Sequence, residues 1–245
     1  MELEPCVKQS ARRILPRWLL DRLDPVEARI GRAVKAFAAR RADGEVVLDA
    51  GCGESRFRAL FSRQRLVGYD RGIGDLRWDY GRVDVRGDLR ELALRDAAAD
   101  AALCVVTLEH VPDPAGTLAE LARVLKPGGE LLLVVPFLWE IHQAPHDYFR
   151  FTRFGVARLL AGAGLAAEAI EPLGGFFAVL ARRSVAALAF FQGGWRWALF
   201  VLLAPALGLL APLVLGWLDG LDRERAFTLG YEVCARKPVR AGDGA

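Results

Sequence analysis

Two stretches of this 245-residue chain concentrate the residue types that do chemistry. The first is Val46-Val47-Leu48-Asp49-Ala50-Gly51-Cys52-Gly53-Glu54-Ser55, an apolar run that ends on an acid and two glycines. Glycine at such a turn lets the backbone approach a ligand closely, and a helix starting behind it offers unpaired N–H groups and a positive dipole end. A dinucleotide-binding turn wants a third glycine, and that position holds Arg56, which disfavours a pyrophosphate cradle. Asp49, two residues ahead of the first glycine, suits instead a ligand with a cationic amino-acid end. Asp70 closes Leu66-Val67-Gly68-Tyr69-Asp70 and is placed to accept both hydroxyls of a ribose; the plainer reading is an acidic loop residue.

The second stretch is 136–152, which holds two of the three histidines beside Asp147, Tyr148 and Arg150. His146 next to Asp147 fits a general base, because an imidazole titrates near neutral pH. The same residues, His146, Asp147, Tyr148 and Arg150, fit a hydrogen-bonded loop brace with Thr152 capping the next helix. His142 and His146 have metal-ligand spacing only on a helix. Pro145 argues against one and no third or fourth ligand is evident, so no metal site is expected. His110 reads as a pocket wall.

An alternation of elements must position these residues. Asp24-Pro25-Val26-Glu27 is a helix start, with a cap, a proline in the first turn and an acid at the capping-box position. Val26, Ile30, Ala33, Val34 and Phe37 continue at helical spacing towards Asp43-Gly44. Before it, 12–23 mixes arginine with Ile14, Leu15, Trp18, Leu19 and Leu20, as a basic amphipathic helix on a membrane or one packed on the domain. Strands are predicted at 45–50, 66–70, 82–85, 101–106, 130–135, 165–172 and 226–236, and helices at 55–61, 117–125 and 152–163. Lys126-Pro127-Gly128-Gly129 reads as a helix stop and turn, and 240–245 as a frayed tail. The alternation predicts an α/β fold, a doubly wound, Rossmann-like, mostly parallel sheet.

In order along the chain, Asp49-Ala50-Gly51-Cys52-Gly53, Gly68-Tyr69-Asp70, Gly87-Asp88-Leu89, Leu108-Glu109-His110-Val111 and Arg123-Val124-Leu125-Lys126-Pro127-Gly128-Gly129 resemble the motifs of class I S-adenosylmethionine-dependent methyltransferases. The nearest subgroup is the small-molecule and quinone type, and the resemblance covers 45–172 and 226–238. It implies S-adenosylmethionine as cofactor, which has the cationic amino-acid end that Asp49 suits. It implies that Asp49, Gly51 and Gly53 line the methionine end and that Asp70 holds the ribose. Asp88 would meet the adenine amino group and Leu89 would donate from its backbone; without the resemblance Asp88 reads as a turn residue. Residues 145–152 also resemble a P-H-D-Y-x-R-x-T signature of methyltransferases from surface-glycan and lipid contexts. That places the acceptor pocket at this loop, with His146, Asp147, Tyr148 and Arg150 as candidate catalytic residues.

From 174 to 218 the pattern breaks into an apolar block, interrupted only by Arg182-Arg183 and Arg196, and 197–218 carries no charge. About 20 apolar residues suffice to cross a bilayer as one helix. Both flanks belong to one sheet, however, so a single crossing would tear the domain apart. A helical hairpin or a re-entrant, half-depth insertion is expected, with breaks at Pro205, Gly208 and Pro212. Trp195, Trp197 and Trp217 would lie at the interface and Arg182, Arg183 and Arg196 at headgroups. A soluble dimer interface or a cap over a greasy substrate is the other reading. The expected organisation is an N-terminal helical extension at 1–42, an S-adenosylmethionine-binding domain at 43–173, the hydrophobic insertion at 174–225, and the final strand of the domain at 226–238.

Composition narrows the function further. With 53% apolar residues, some surface is expected to meet lipid, a greasy ligand or a partner. The net charge of +3 comes from scattered arginines with no dense basic stripe, so no nucleic acid is expected. Cys6, Cys52, Cys104 and Cys234 form no CxxC pair and fit a reduced, intracellular protein. Glu2 and Glu4, with no apolar run before Arg12, speak against a secretory signal. The expected activity is O-methylation of a lipid-linked, glycan-type or other hydrophobic small-molecule acceptor, in the cytoplasm at the inner face of the cell membrane. The alternative is a non-catalytic S-adenosylmethionine-fold protein that scaffolds a membrane complex; a nicotinamide oxidoreductase is disfavoured by the missing third glycine.

Overall fold

The computed structural model describes residues 16–74 and 78–239. The strands are β1 (Val46–Ala50), β2 (Arg65–Asp70), β3 (Val85–Arg86), β4 (Ala99–Val105), β5 (Leu125–Pro136), β6 (Ala166–Pro172) and β7 (Gly230–Arg236). The α-helices are α1 (Arg17–Leu23), α2 (Pro25–Ala39), α3 (Pro114–Val124), α4 (Arg153–Gly162), α5 (Phe176–Ala187), α6 (Arg196–Leu203) and α7 (Ala211–Leu218). The expected 12–23 helix is seen from Arg17; its start, like the tail 240–245, lies outside the described residues. Contacts divide the chain into two units. One takes the described residues up to Gly31, with Leu138–His142 and Pro172–Leu229; the other takes Arg32–Phe137, Gln143–Glu171 and the chain from Gly230.

The second unit holds a seven-stranded sheet in the order β3-β2-β1-β4-β5-β7-β6. The pairs β3–β2, β2–β1, β1–β4 and β4–β5 are parallel, and β7 runs antiparallel to β5 from Glu130↔Arg236 to Pro136↔Gly230. This is the doubly wound α/β sheet expected. Its central strands are almost wholly buried, which is why they read as continuous apolar runs rather than as alternating patterns. Chain order reverses direction at β1, which lies between β2 and β4. A ligand crevice is expected there, outside the carboxyl ends of β1 and β4.

Local signals set several element ends. The Asp24 carboxylate accepts from the Glu27 N–H at 3.1 Å, directly ahead of α2. Asp113 caps α3 by accepting from Gly116 N–H, and Thr152 caps α4 by accepting from Gly155 N–H at 3.0 Å. Other boundaries differ from the expectation. Residues 55–61 form no α-helix: Ser55 has φ +54°, outside the right-handed helical region, and only the 3₁₀ turn Arg58–Phe61 follows. Lys126-Pro127-Gly128-Gly129 belongs to β5, which absorbs the proline and glycines through a register shift between Ala99 and Ala101 of β4. The third strand shrinks to Val85–Arg86, behind a 3₁₀ turn at Tyr80–Arg82.

In the first unit, α5 and the 3₁₀ turn Leu188–Phe191 form one arm of a helical hairpin. The chain reverses at Gly193 and Gly194, whose φ values of +105° and +55° favour glycine. The return arm is helical from Arg196 to Leu221. Pro205, Gly208 and Pro212 do not break it. Pro205 lacks an N–H and crowds the preceding turn, and Ala204–Leu210 accommodates it by widening into a π-helical segment. α5 packs against α7, and so does α1. The base of the hairpin is pinned by carboxylates of the return arm. Asp219 accepts from the N–H groups of Gly175 (3.1 Å) and Ala178 (2.9 Å), and Asp222 from Phe176 (2.7 Å), so the open N-terminus of α5 is satisfied by its partner arm.

Candidate active site

The turn leaving β1 carries the first group of expected residues. Gly51 has φ +77° and donates to the Tyr69 carbonyl at 2.8 Å, tying the turn to β2. A Cβ on Gly51 would overlap the Thr107 side chain, and one on Gly53 (φ +52°) would stand 2.9 Å from the Trp78 ring. Both glycines are therefore required by close approach as well as by backbone conformation. Asp70, at the end of β2, spans the loop: Oδ2 accepts from Gly53 N–H at 2.9 Å and Oδ1 from Gly72 N–H at 2.7 Å. Each oxygen keeps a second lone pair for a ligand hydroxyl.

Asp49 is the electrostatic oddity of this edge. Its side chain is 2% exposed, and its Oδ2 has no hydrogen-bond partner among the described residues. Burial pushes its carboxyl up to about 7, with Arg56 pulling the other way and Asp70 adding to the rise. A buried carboxylate with an orphan oxygen is costly for the fold alone. It fits a ligand that brings a positive charge, and with the glycine turn beside it the site suits the ammonium end of S-adenosylmethionine.

Asp88 and Leu89 follow β3. Leu89 is buried in the core. The Asp88 carboxylate is gripped by Arg90, which donates from Nε at 3.0 Å and Nη2 at 2.8 Å, with the Arg90 backbone N–H also donating. Those bonds, opposed by partial burial, hold the Asp88 carboxyl down to about 2. Asp88 is thus a turn residue with its side chain engaged in this structure.

Beyond β4 the chain turns sharply. Val106 has φ +52°, a strained value for a β-branched residue. It delivers Thr107, whose Oγ1 donates to the Gly51 carbonyl at 3.3 Å. Sequence reasoning missed this pair. The available signal was position: the residues after β4 face the glycine turn across the sheet's switch point.

The loop 143–152 is anchored over this edge. Tyr148 N–H donates to the Glu109 carbonyl at 2.9 Å, and His110 Nδ1 donates to the His146 carbonyl. Within the loop, the structure does not join His146 to Asp147. Asp147, with its side chain only 3% exposed, takes both Arg150 Nη groups at 2.6 and 2.7 Å, and His146 Nδ1 lies 3.1 Å from Tyr148 Oη. The four candidate residues therefore form two pairs, Asp147–Arg150 and His146–Tyr148. His142 belongs to the other unit, where its Nδ1 lies 3.1 Å from the Glu140 carbonyl.

Comparison with known proteins bears on the domain and its fold. Residues 48–133 match the family model described as a methyltransferase domain. A probable S-adenosylmethionine-dependent methyltransferase of Mycolicibacterium smegmatis is 40% identical over 104 residues, 40% of this chain and 40% of that protein. The ubiquinone biosynthesis O-methyltransferase of Hahella chejuensis is 38% identical over 99 residues, 36% of this chain and 42% of that protein. The chain thus spans less than half the length of these two relatives. Among solved structures, a putative methyltransferase from Bacillus halodurans superposes with a TM-score of 0.51 at 18% identity, covering 85% of this chain and 99% of that one, which speaks to the fold.

Proposed function

We propose that this chain, through its S-adenosylmethionine-dependent methyltransferase domain, methylates a hydroxyl group on a hydrophobic, lipid-linked or glycan-type acceptor at a membrane surface. The observation that carries the reading is Asp49: a buried acid with an orphan oxygen, beside a two-glycine turn at the switch point of the sheet. In this reading Asp49 receives the ammonium of the cofactor, Gly51 and Gly53 leave room for its methionine end, and Asp70 offers its remaining lone pairs to the ribose. The Asp88 carboxylate would have to release Arg90 to meet the adenine; otherwise the backbone at Leu89 does that work. Bound S-adenosylmethionine supplies a methyl group on sulfonium, an electrophile that needs alignment more than activation.

The chain's own residues then handle the acceptor. With the proton of neutral His146 on Nδ1 and donated to Tyr148 Oη, Nε2 keeps its lone pair and can take the hydroxyl proton. The Asp147–Arg150 pair holds the loop that presents His146. The O-methyltransferase names among the relatives support an oxygen acceptor. The apolar return arm of the hairpin, without charge from 197 to 218, supports attachment to the inner face of the cell membrane, where a lipid-linked acceptor lies. The test is incubation of the full chain with methyl-labelled S-adenosylmethionine and host membranes. Label in the lipid extract that survives alkaline hydrolysis, as a methyl ether does and a methyl ester does not, supports the reading. Tight cofactor binding without transfer to any fraction would instead make the protein a binding or scaffold module.

A further inference from the structure

The hairpin leaves a surface that the candidate active site does not use. Along the return arm Val201, Leu202, Pro205, Ala206, Leu209, Leu210, Val214, Trp217 and Leu221 are exposed in register, turn after turn. Only 6% of its most apolar window is buried. The helix is 26 residues long, and the stripe from Val201 to Leu221 runs for about 30 Å of it. Trp195 stands at one end, 78% exposed, and Trp217 near the other, 81% exposed. Charge lies at both ends: Arg196 at the turn, and Asp219, Asp222, Arg223, Glu224 and Arg225 at the base.

We propose that this hairpin lies flat in a single leaflet of the bilayer, with the stripe facing the acyl chains and both arms parallel to the membrane plane; the proposal rests on the membrane reading above. Three observations favour this seating over an upright one. Ser184 Oγ donates to the Leu207 carbonyl at 3.0 Å, which sets the middle of α5 beside the middle of the return arm. Next to Ser184, Arg182 and Arg183 both pair with Glu140, so an ion cluster sits at mid-length of the hairpin. A hairpin that crossed the bilayer would carry that cluster into hydrocarbon, where ionised side chains are expensive. A hairpin inserted tip first to half depth would carry Arg196 to the bilayer centre instead. Arg196 donates to the carbonyls of Phe190 and Gln192 and so belongs to the folded turn. Lying flat keeps Arg196, the Arg182–Glu140–Arg183 cluster and the base acids at headgroup level together. It also puts both terminal tryptophans at the boundary that suits an apolar ring with a polar N–H.

The experiment uses the full chain and vesicles of phosphatidylcholine with phosphatidylglycerol. Environment-sensitive labels on Leu202→Cys, Leu210→Cys and Trp217→Cys, in a Cys6→Ser, Cys234→Ser background, report depth by quenching from lipids spin-labelled at shallow and deep positions. Equal depth at all three positions is expected. In the otherwise native chain, Leu202→Glu, Leu210→Glu and Trp217→Glu should each lower vesicle partitioning by roughly 10-fold or more, with S-adenosylmethionine binding retained as the check on folding. A depth gradient from Leu202 down to Trp217, with only Leu202→Glu harmful, would establish tip-first insertion and overturn the flat seating while leaving membrane attachment intact. Labels reachable from both sides of the vesicle would overturn it in favour of a crossing. Failure of the native chain to float with vesicles removes the membrane reading itself. A lipid-free dimer broken by Leu210→Glu, with no flotation, would give the stripe to a second copy of the chain.

Discussion

Replacing Asp49 with asparagine separates the demands of folding from those of cofactor binding. The Asp49 carboxyl is raised from 3.8 to about 7 by burial. Because the folded-state value is raised, the acid form is favoured in the fold. There is no penalty below the unfolded value near 3.8, a growing one as pH rises from there, and the full one above about 7. At about 1.4 kcal/mol per pKa unit, the full penalty is on the order of 4 kcal/mol. Asparagine keeps the shape and removes the charge, so Asp49→Asn should stabilise the cofactor-free protein at pH 8 by about 2–4 kcal/mol and have little effect at pH 4. An ammonium ligand reverses the logic. It needs the ionised carboxylate, so S-adenosylmethionine affinity should rise close to tenfold per unit from pH 5.5 to about 7 and then level off, before the ligand's own amine titrates near 8. Urea unfolding at pH 4, 6 and 8, with calorimetric titration of the cofactor at pH 5.5, 6.5 and 7.5, measures both. If Asp49→Asn is less stable than the native chain at pH 8 and binds the cofactor equally well at every pH, Asp49 is a structural residue and the reasoning fails.

Other positions give independent checks. Asp70→Ala removes a charged acceptor from the ribose and two bonds from the glycine loop, and should weaken cofactor binding by about 2–4 kcal/mol in the same titration. His146→Ala should leave that affinity nearly unchanged and slow methyl transfer about 10²–10⁴-fold. Tyr148→Phe should slow it less, by freeing the imidazole tautomer, and a native rate in His146→Ala takes the residue out of the mechanism. Asp147→Ala removes both carboxylate bonds to Arg150 and should cost about 2–3 kcal/mol of stability, read as a lower melting temperature; an unchanged melting temperature would deny the loop brace. Asp219→Ala uncaps α5 and should open the hairpin base at a cost of about 1–2 kcal/mol, seen as faster amide exchange at Gly175 and Ala178.

Sequence alone determined the features that depend on neighbours along the chain. The buried strands were legible as apolar runs because a parallel sheet covered on both faces leaves no room for alternation. The starts of α2 and α4 were legible because Asp24 and Thr152 bond to N–H groups three residues ahead. The apolar insertion was legible as a block whose two ends return to one sheet, but its reversal falls at Gly193-Gly194 and not at the expected Pro205, Gly208 or Pro212, which stay within one helix. What the tertiary structure decided concerns residues that meet only when distant elements are brought together. Thr107 reaches Gly51 because β1 and β4 are neighbours in the sheet, a fact that no local pattern carries. Residues 55–61 lost their helix because the turn that brings Gly53 to Asp70 leaves Ser55 at a positive φ. Asp147 took Arg150 rather than the adjacent His146. A bidentate guanidinium satisfies both oxygens of a nearly buried carboxylate, and an imidazole satisfies one.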